Sequence, residues 1–110
     1  MDLGSVPFTC TDWETIDRTE VPGEEGTSWH RVQTFGDLRV RVVEYAPGFR
    51  SDHYCPRGHV LQVLEGRLDI LLQDGTVHEL TAGKGFIAGD DEENPHLAFT
   101  ATGATVFIVD

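Results

Sequence analysis

From residue 28 onward the chain alternates apolar and polar positions in short runs, each closed by a turn. "SWHRVQTF" stops at Gly36-Asp37, "LRVRVVEYA" at Pro47-Gly48 and "HVLQVL" at Glu65-Gly66. "RLDILLQ" stops at Asp74-Gly75, "TVHEL" at Ala82-Gly83, and "GFIA" runs into the acidic "GDDEEN". "HLAFTAT" stops at Gly103, and "ATVFIVD" follows. Period-two alternation between turn residues is the signature of strands, and Asp-Gly between two runs is a strong hairpin signal. Eight short strands with turns about every 8–12 residues predict an all-β fold, an antiparallel β-barrel or jelly roll. Residues 1–27 are rich in Pro, Gly, Thr and Glu and predict an irregular arm with one short strand. Within it "TDWETID", capped by Thr11 or Asp12, is too short for more than a turn of helix. The expected organisation is an arm over 1–27 and a barrel over 28–110.

Alternation also assigns faces. His59, Leu61 and Val63 share one side of their strand, so His59 is expected to point inward. In the next run Leu68, Ile70 and Leu72 form the apolar side, and Arg67, Asp69 and Gln73 are expected to face outward. His53 and Cys55 are two apart, so on an extended chain they too share a face. A buried polar cluster must be paired or must hold an ion. His30 and His78 fall outside this spacing and are expected to be surface or ordinary strand residues. Asp52 is expected at a turn or behind the cluster. Tyr45, Tyr54 and Phe86 are candidates for the barrel mouth or the core.

Charge narrows the partners. The 110 residues carry 19 acidic against 8 basic side chains, a net charge of −11. Nucleic acid and a polybasic membrane contact are both excluded, since each needs a basic surface. No apolar run is long enough to cross a membrane, and the Met1-Asp2-Leu3-Gly4 start lacks the basic and apolar parts of a signal peptide. A cytoplasmic chain is the expectation, and a reducing compartment leaves Cys10 and Cys55 unpaired.

The spacing His53-x-Cys55-x3-His59-x6-Gly66, followed by Gly85-x10-His96, resembles the two motifs of the cupin superfamily. Cys55 stands where the second His of the first motif is usual, and His59 where its Glu is usual. "DLRVRVVEYAPGF", "SDHYC", "GHVLQVLEG" and "NPHLAFTATGATVFIVD" are similar to the branch called DHCW-motif cupin-fold proteins. The resemblance implies a small β-barrel with one divalent transition metal in its mouth, held by His53, His59, His96 and Cys55. Four such ligands would fill a tetrahedral zinc shell. Three histidines alone would leave positions open, as non-haem iron enzymes require. The imidazole-rich set also accepts nickel, manganese or copper, so the metal stays open between these. The implied roles are a metalloenzyme acting on a small organic molecule, a non-catalytic binding module, or a metal that only stabilises a small core. Small cupins commonly dimerise, so a homodimer is expected, the arm or an edge strand covering the neighbour's sheet edge.

Overall fold

The computed structural model describes residues 3–57 and 59–110; Met1, Asp2 and Gly58 lie outside them. The strands are β1 (Thr19–Pro22), β2 (Thr27–Phe35), β3 (Leu38–Tyr45), β4 (His59–Leu72), β5 (Val77–Thr81), β6 (Gly85–Ala88), β7 (His96–Phe99) and β8 (Ala104–Val109). Every pairing is antiparallel. One layer runs β1-β2-β3-β8-β4, with β6 on the far side of the first half of β4. The second half of β4 leaves that layer and pairs with β5 and β7. The fold is an all-β antiparallel jelly roll, as the turn spacing predicts.

The Glu65-Gly66 turn expected between two strands is instead a bulge inside one 14-residue strand. The register of β4 against β8 shifts between Val63 and Glu65. Gly66 takes φ 78°, where a side chain is strained. A Cβ there would also come within 2.2 Å of the Gly103 carbonyl oxygen. This bulge lets β4 pass from one layer to the other, since bulges add local twist and bend.

The expected faces of β4 hold with one correction. His59, Leu61 and Val63 are buried, and so are Leu68 and Ile70. Asp69, expected outside, is also buried at 6% exposure. It lies on β4 between Glu79 of β5 and Phe99 of β7, and the Arg67 Nε donates to its carboxylate at 3.0 Å. Flanking strands plus a guanidinium cover it, which alternation in one strand cannot register.

The core joins Val43, Leu61, Val63, Leu68, Ile70, Val106 and Ile108. On β3 the inward side is therefore that of Val43, which alternation shares with Arg39, Arg41 and Tyr45. The arm contributes β1 and a single turn of 3-10 helix, Trp13–Thr15, whose N-cap is Asp12. It fastens to the outer side of the first layer. Arg31 donates to the Trp13 and Ile16 carbonyls, Thr11 donates to Gln33, and Trp13 meets Phe107 edge-on at 6.3 Å. β1 covers the edge of β2 within the same chain.

Replacing Gly66 by Ala tests the bulge. The expected loss is about 1–3 kcal/mol, read as a lower urea midpoint. Gly36→Ala is the control: its φ of 61° is also left-handed, but nothing lies within 4 Å of the added Cβ. Its loss should be the smaller of the two.

Candidate metal centre

Three of the four expected ligands converge. His59 opens β4 on its inward face, 7% exposed. His96 opens β7 and is tied to Cys55 by an isolated antiparallel bridge. The Cys55 N–H donates to the His96 carbonyl at 2.7 Å, and the His96 N–H returns to the Cys55 carbonyl at 3.0 Å. A pair that exchanges both backbone bonds sends its side chains to the same side. The His59 and His96 rings then meet edge-on at 4.8 Å, with Phe86 against both. One donor atom from each of Cys55, His59 and His96 lies within 4.8 Å of the others.

This donor set fits a transition metal. A sulfur and a nitrogen on one tetrahedral zinc stand about 3.6 Å apart, from bond lengths of about 2.3 and 2.1 Å. The Cys55 Sγ lies 3.8 Å from the His59 Nε2. Burial first, then His96, pushes the His59 pKa down to about 4 against an opposing pull from Asp110. Burial also lowers His96. Both imidazoles are therefore neutral at pH 7 and present a lone pair, the form a metal binds. The His59 Nδ1 is 3.1 Å from the Asp110 Oδ2 but has no aligned hydrogen-bond partner. A carboxylate beside Nδ1 favours the proton there and leaves Nε2 as the donor atom toward Cys55.

His53 stands apart from this group. Its side chain is 70% exposed, and its Nδ1 lies 2.6 Å from the Asp52 Oδ1. That contact is the main reason the Asp52 carboxyl sits below the usual carboxylate range. Residues 52 and 53 form a bend, so the shared face expected of His53 and Cys55 on an extended chain does not arise. His53 lines the rim of the same cavity as Cys55, His59 and His96. Cys55 and the exposed Cys10 are both unpaired.

No family model matches the chain, and no curated protein matches it. Solved structures do. An RmlC-like cupin from Shewanella frigidimarina superposes with a TM-score of 0.73 at 21% identity, over 90% of this chain and 86% of its own. The chain has the cupin fold. The polyketide cyclase RemF from Streptomyces resistomycificus gives 0.74 at 22% identity, over 94% and 78% of the two chains. A cupin-superfamily sugar phosphate isomerase from Silicibacter pomeroyi gives 0.67 at 21%, over 92% and 74%. At these identities the likeness is one of fold.

Two cavities meet at Cys55 and His96 inside this barrel. One, of about 410 Å³, includes Ser28, His30, Arg39, Arg41 and Tyr45 in its wall. The other, of about 450 Å³, includes Ile70, Leu72, Leu80 and Phe86. Cys55, Ile70, Phe86 and His96 border both. Asp90 and Asp91 of the acidic loop stand at the second cavity, as does the exposed His78.

His30, expected to be an ordinary strand or surface residue, is instead part of the first wall. Arg41 Nη1 donates to its Nδ1 at 3.2 Å, and its Nε2–H donates to the Ser28 Oγ at 3.1 Å. The Ser28 hydroxyl donates in turn to the Val21 carbonyl at 2.8 Å. Burial, then Arg41 and Arg39, pushes the His30 pKa down to about 4. Behind Arg41 lies Asp110, whose side chain is fully buried and within 2.7 and 2.9 Å of Arg39 and Arg41. Sequence spacing passes over Arg39, Arg41, His30 and Asp110. The available signal was the placement of Arg39 and Arg41 at the same parity as Val43.

The lowered His30 pKa makes a pH prediction. Folded His30 titrates near 4, and unfolded His30 near 6.5. As pH falls, the unfolded chain takes the proton first, so stability is intact above about 6.5 and declines toward 4. His59 and His96 act in the same direction. Thermal unfolding from pH 7 to 4.5 should therefore lose less in His30→Gln than in the unchanged protein. An equal loss in both would show that His30 is already charged in the fold.

Proposed function

We propose that the chain is a small metal-binding cupin in which Cys55, His59 and His96 hold one divalent transition metal and the adjoining cavities bring a small organic molecule to it. The observation that carries this is the convergence of three donor atoms from separate segments within 4.8 Å. Convergence at the junction of two cavities favours a working centre over a purely structural one. Three protein ligands leave a position open, whereas structural zinc sites are closed by four. When bound, the metal supplies Lewis acidity toward an oxygen of the guest molecule or toward water.

The protein groups have separate parts in this reading. Asp110 orients His59 through Nδ1. Phe86, packed on both imidazoles, limits their rotation and excludes water. His53 serves as an outer arm: held by Asp52 it leaves the position open, and turned inward it would be the fourth ligand. Zinc, iron, nickel, manganese and copper remain the candidate metals, with the imidazole and thiolate donors weighting the set toward softer ions. A homodimer stays part of the proposal. Its contact would use the edge of β1 that pairs with no strand among the described residues, because the arm already covers β2 within its own chain.

Metal titration of single variants tests the centre. Cys55→Ser, His59→Ala and His96→Ala should each cut zinc or cobalt affinity by at least about tenfold. Cys55→Ser should also remove the sulfur-to-cobalt charge-transfer band. His53→Ala should keep both the metal and the band. If His53→Ala loses the metal as fully as His59→Ala does, the shell has four ligands and is closed.

A further inference from the structure

The two cavities place different side chains on either side of Cys55 and His96. The first holds two guanidinium groups, Arg39 and Arg41, against the one carboxylate of Asp110. Among the described residues Asp110 is the only carboxylate that pairs with these two arginines, inside a protein of net charge −11. Asp52, the acid at this cavity's rim, is exposed and paired with His53.

Arg41 is 11% exposed at its side chain, and its Nε has no hydrogen-bond partner. Its Nη1 is steered by His30 and its Nη2 by Asp110, so the fork is held from two sides. A guanidinium has five N–H donors, and these two contacts use two of them. Tyr45 stands in the same wall, and burial pushes its hydroxyl up to about 12, so it remains a donor at neutral pH. Donors held in place without a matching acceptor suit a carboxylate, which accepts a guanidinium fork in two bonds.

Among the described residues no guanidinium lines the second cavity. Ile70, Leu72, Leu80 and Phe86 line its inner part, together with His78, Asp90 and Asp91. The metal group lies where the two chambers meet.

We propose that this interior takes a small carboxylic acid with an apolar body. Its carboxylate lies against Arg41 and Tyr45, its body among Leu72, Leu80 and Phe86, and its middle atoms beside Cys55 and His96. The inference deepens the metal-centre reading and rests on it for the reacting position. The binding polarity itself rests on the chambers.

Calorimetry on zinc-loaded protein separates the two. The probes are isocaproate, its neutral amide isocaproamide, acetate and inorganic phosphate. Isocaproate should bind about tenfold to hundredfold more tightly than the amide, the worth of a charge-assisted pair. Acetate should bind more weakly than isocaproate, and phosphate should not compete. Arg41→Lys keeps the charge beside Asp110 but loses the fork, and should cost isocaproate about tenfold. Leu72→Trp fills the apolar chamber, and should lose isocaproate while keeping acetate. Tyr45→Phe gives a milder loss and serves if Arg41→Lys fails to fold.

Equal affinity for acid and amide would overturn the proposal. So would isocaproate binding unchanged in both Arg41→Lys and Tyr45→Phe, which would mean that the carboxylate sits on the metal. Phosphate binding more tightly than isocaproate would overturn it in favour of an inorganic anion site. Zinc uptake without isocaproate binding would sink the chamber assignment and leave the metal centre standing. Isocaproate binding that follows Arg41 in protein that takes up no metal would do the reverse.

Discussion

The buried carboxylate of Asp110 is the constraint on which this interior depends. A carboxylate removed from water costs several kcal/mol unless charged partners replace its hydration. Burial pushes the Asp110 pKa up, but Arg41 and Arg39 outweigh it and hold the group below the usual carboxylate range. It is therefore ionised, and its partners are obligatory. Those partners come from different strands. Arg39 and Arg41 belong to β3, and His59 begins β4. Asp110 also exchanges both backbone bonds with Arg39, at 2.7 and 2.9 Å. One side chain thus ties β3 and β4 across the end of β8.

The same contact directs the chemistry of the site. The Asp110 carboxylate stands 3.1 Å from the His59 Nδ1, and the Nε2 on the other side of the ring lies 3.8 Å from the Cys55 Sγ. The guanidinium that compensates Asp110 also fixes His30, and His30 in turn fixes Ser28. Arg41, Asp110, His30 and Ser28 hold one another in place, so most of the donors are positioned before any ligand arrives. Preorganisation of this kind lowers the ordering cost of binding. Removing a single member leaves a buried charge or donor unpaired, which costs more than the contact itself contributes.

Some of this was legible in the chain. Turn residues and alternation predict the all-β class, and parity places His59 with Leu61 and Val63. The spacing of Cys55, His59 and His96 marks three side chains that do meet. His53 shares their spacing but not their place, because a bend at residues 52 and 53 breaks the parity. The polar wall was illegible for a different reason. On β3 the run Leu38, Val40, Val42 looks like the core face, while Arg39 and Arg41 look like the solvent face. The core in fact contains Val43, so the arginines point toward it. A strand's parity says which residues share a face and not which face is inside. That choice is made by β8 and by Asp110, far along the chain. The bulge at Gly66 is similar: a Gly after an apolar run signals a turn or a bulge equally, and the pairing with β8 decides.

The bulge also explains how a small barrel holds both a core and a site. Before it, β4 lies against β8 and β6, with His59 at the open end. After it, β4 lies between β5 and β7, and Ile70 and Leu72 reach the apolar chamber. One strand therefore supplies the candidate ligand His59, core residues and the chamber wall in sequence. Cys55 is joined to His96 by a single bridge, and the bend before it is exposed. An ion shared by Cys55, His59 and His96 would cross-link that segment to β4 and β7. Its binding energy would then appear as ordering of residues 51–57.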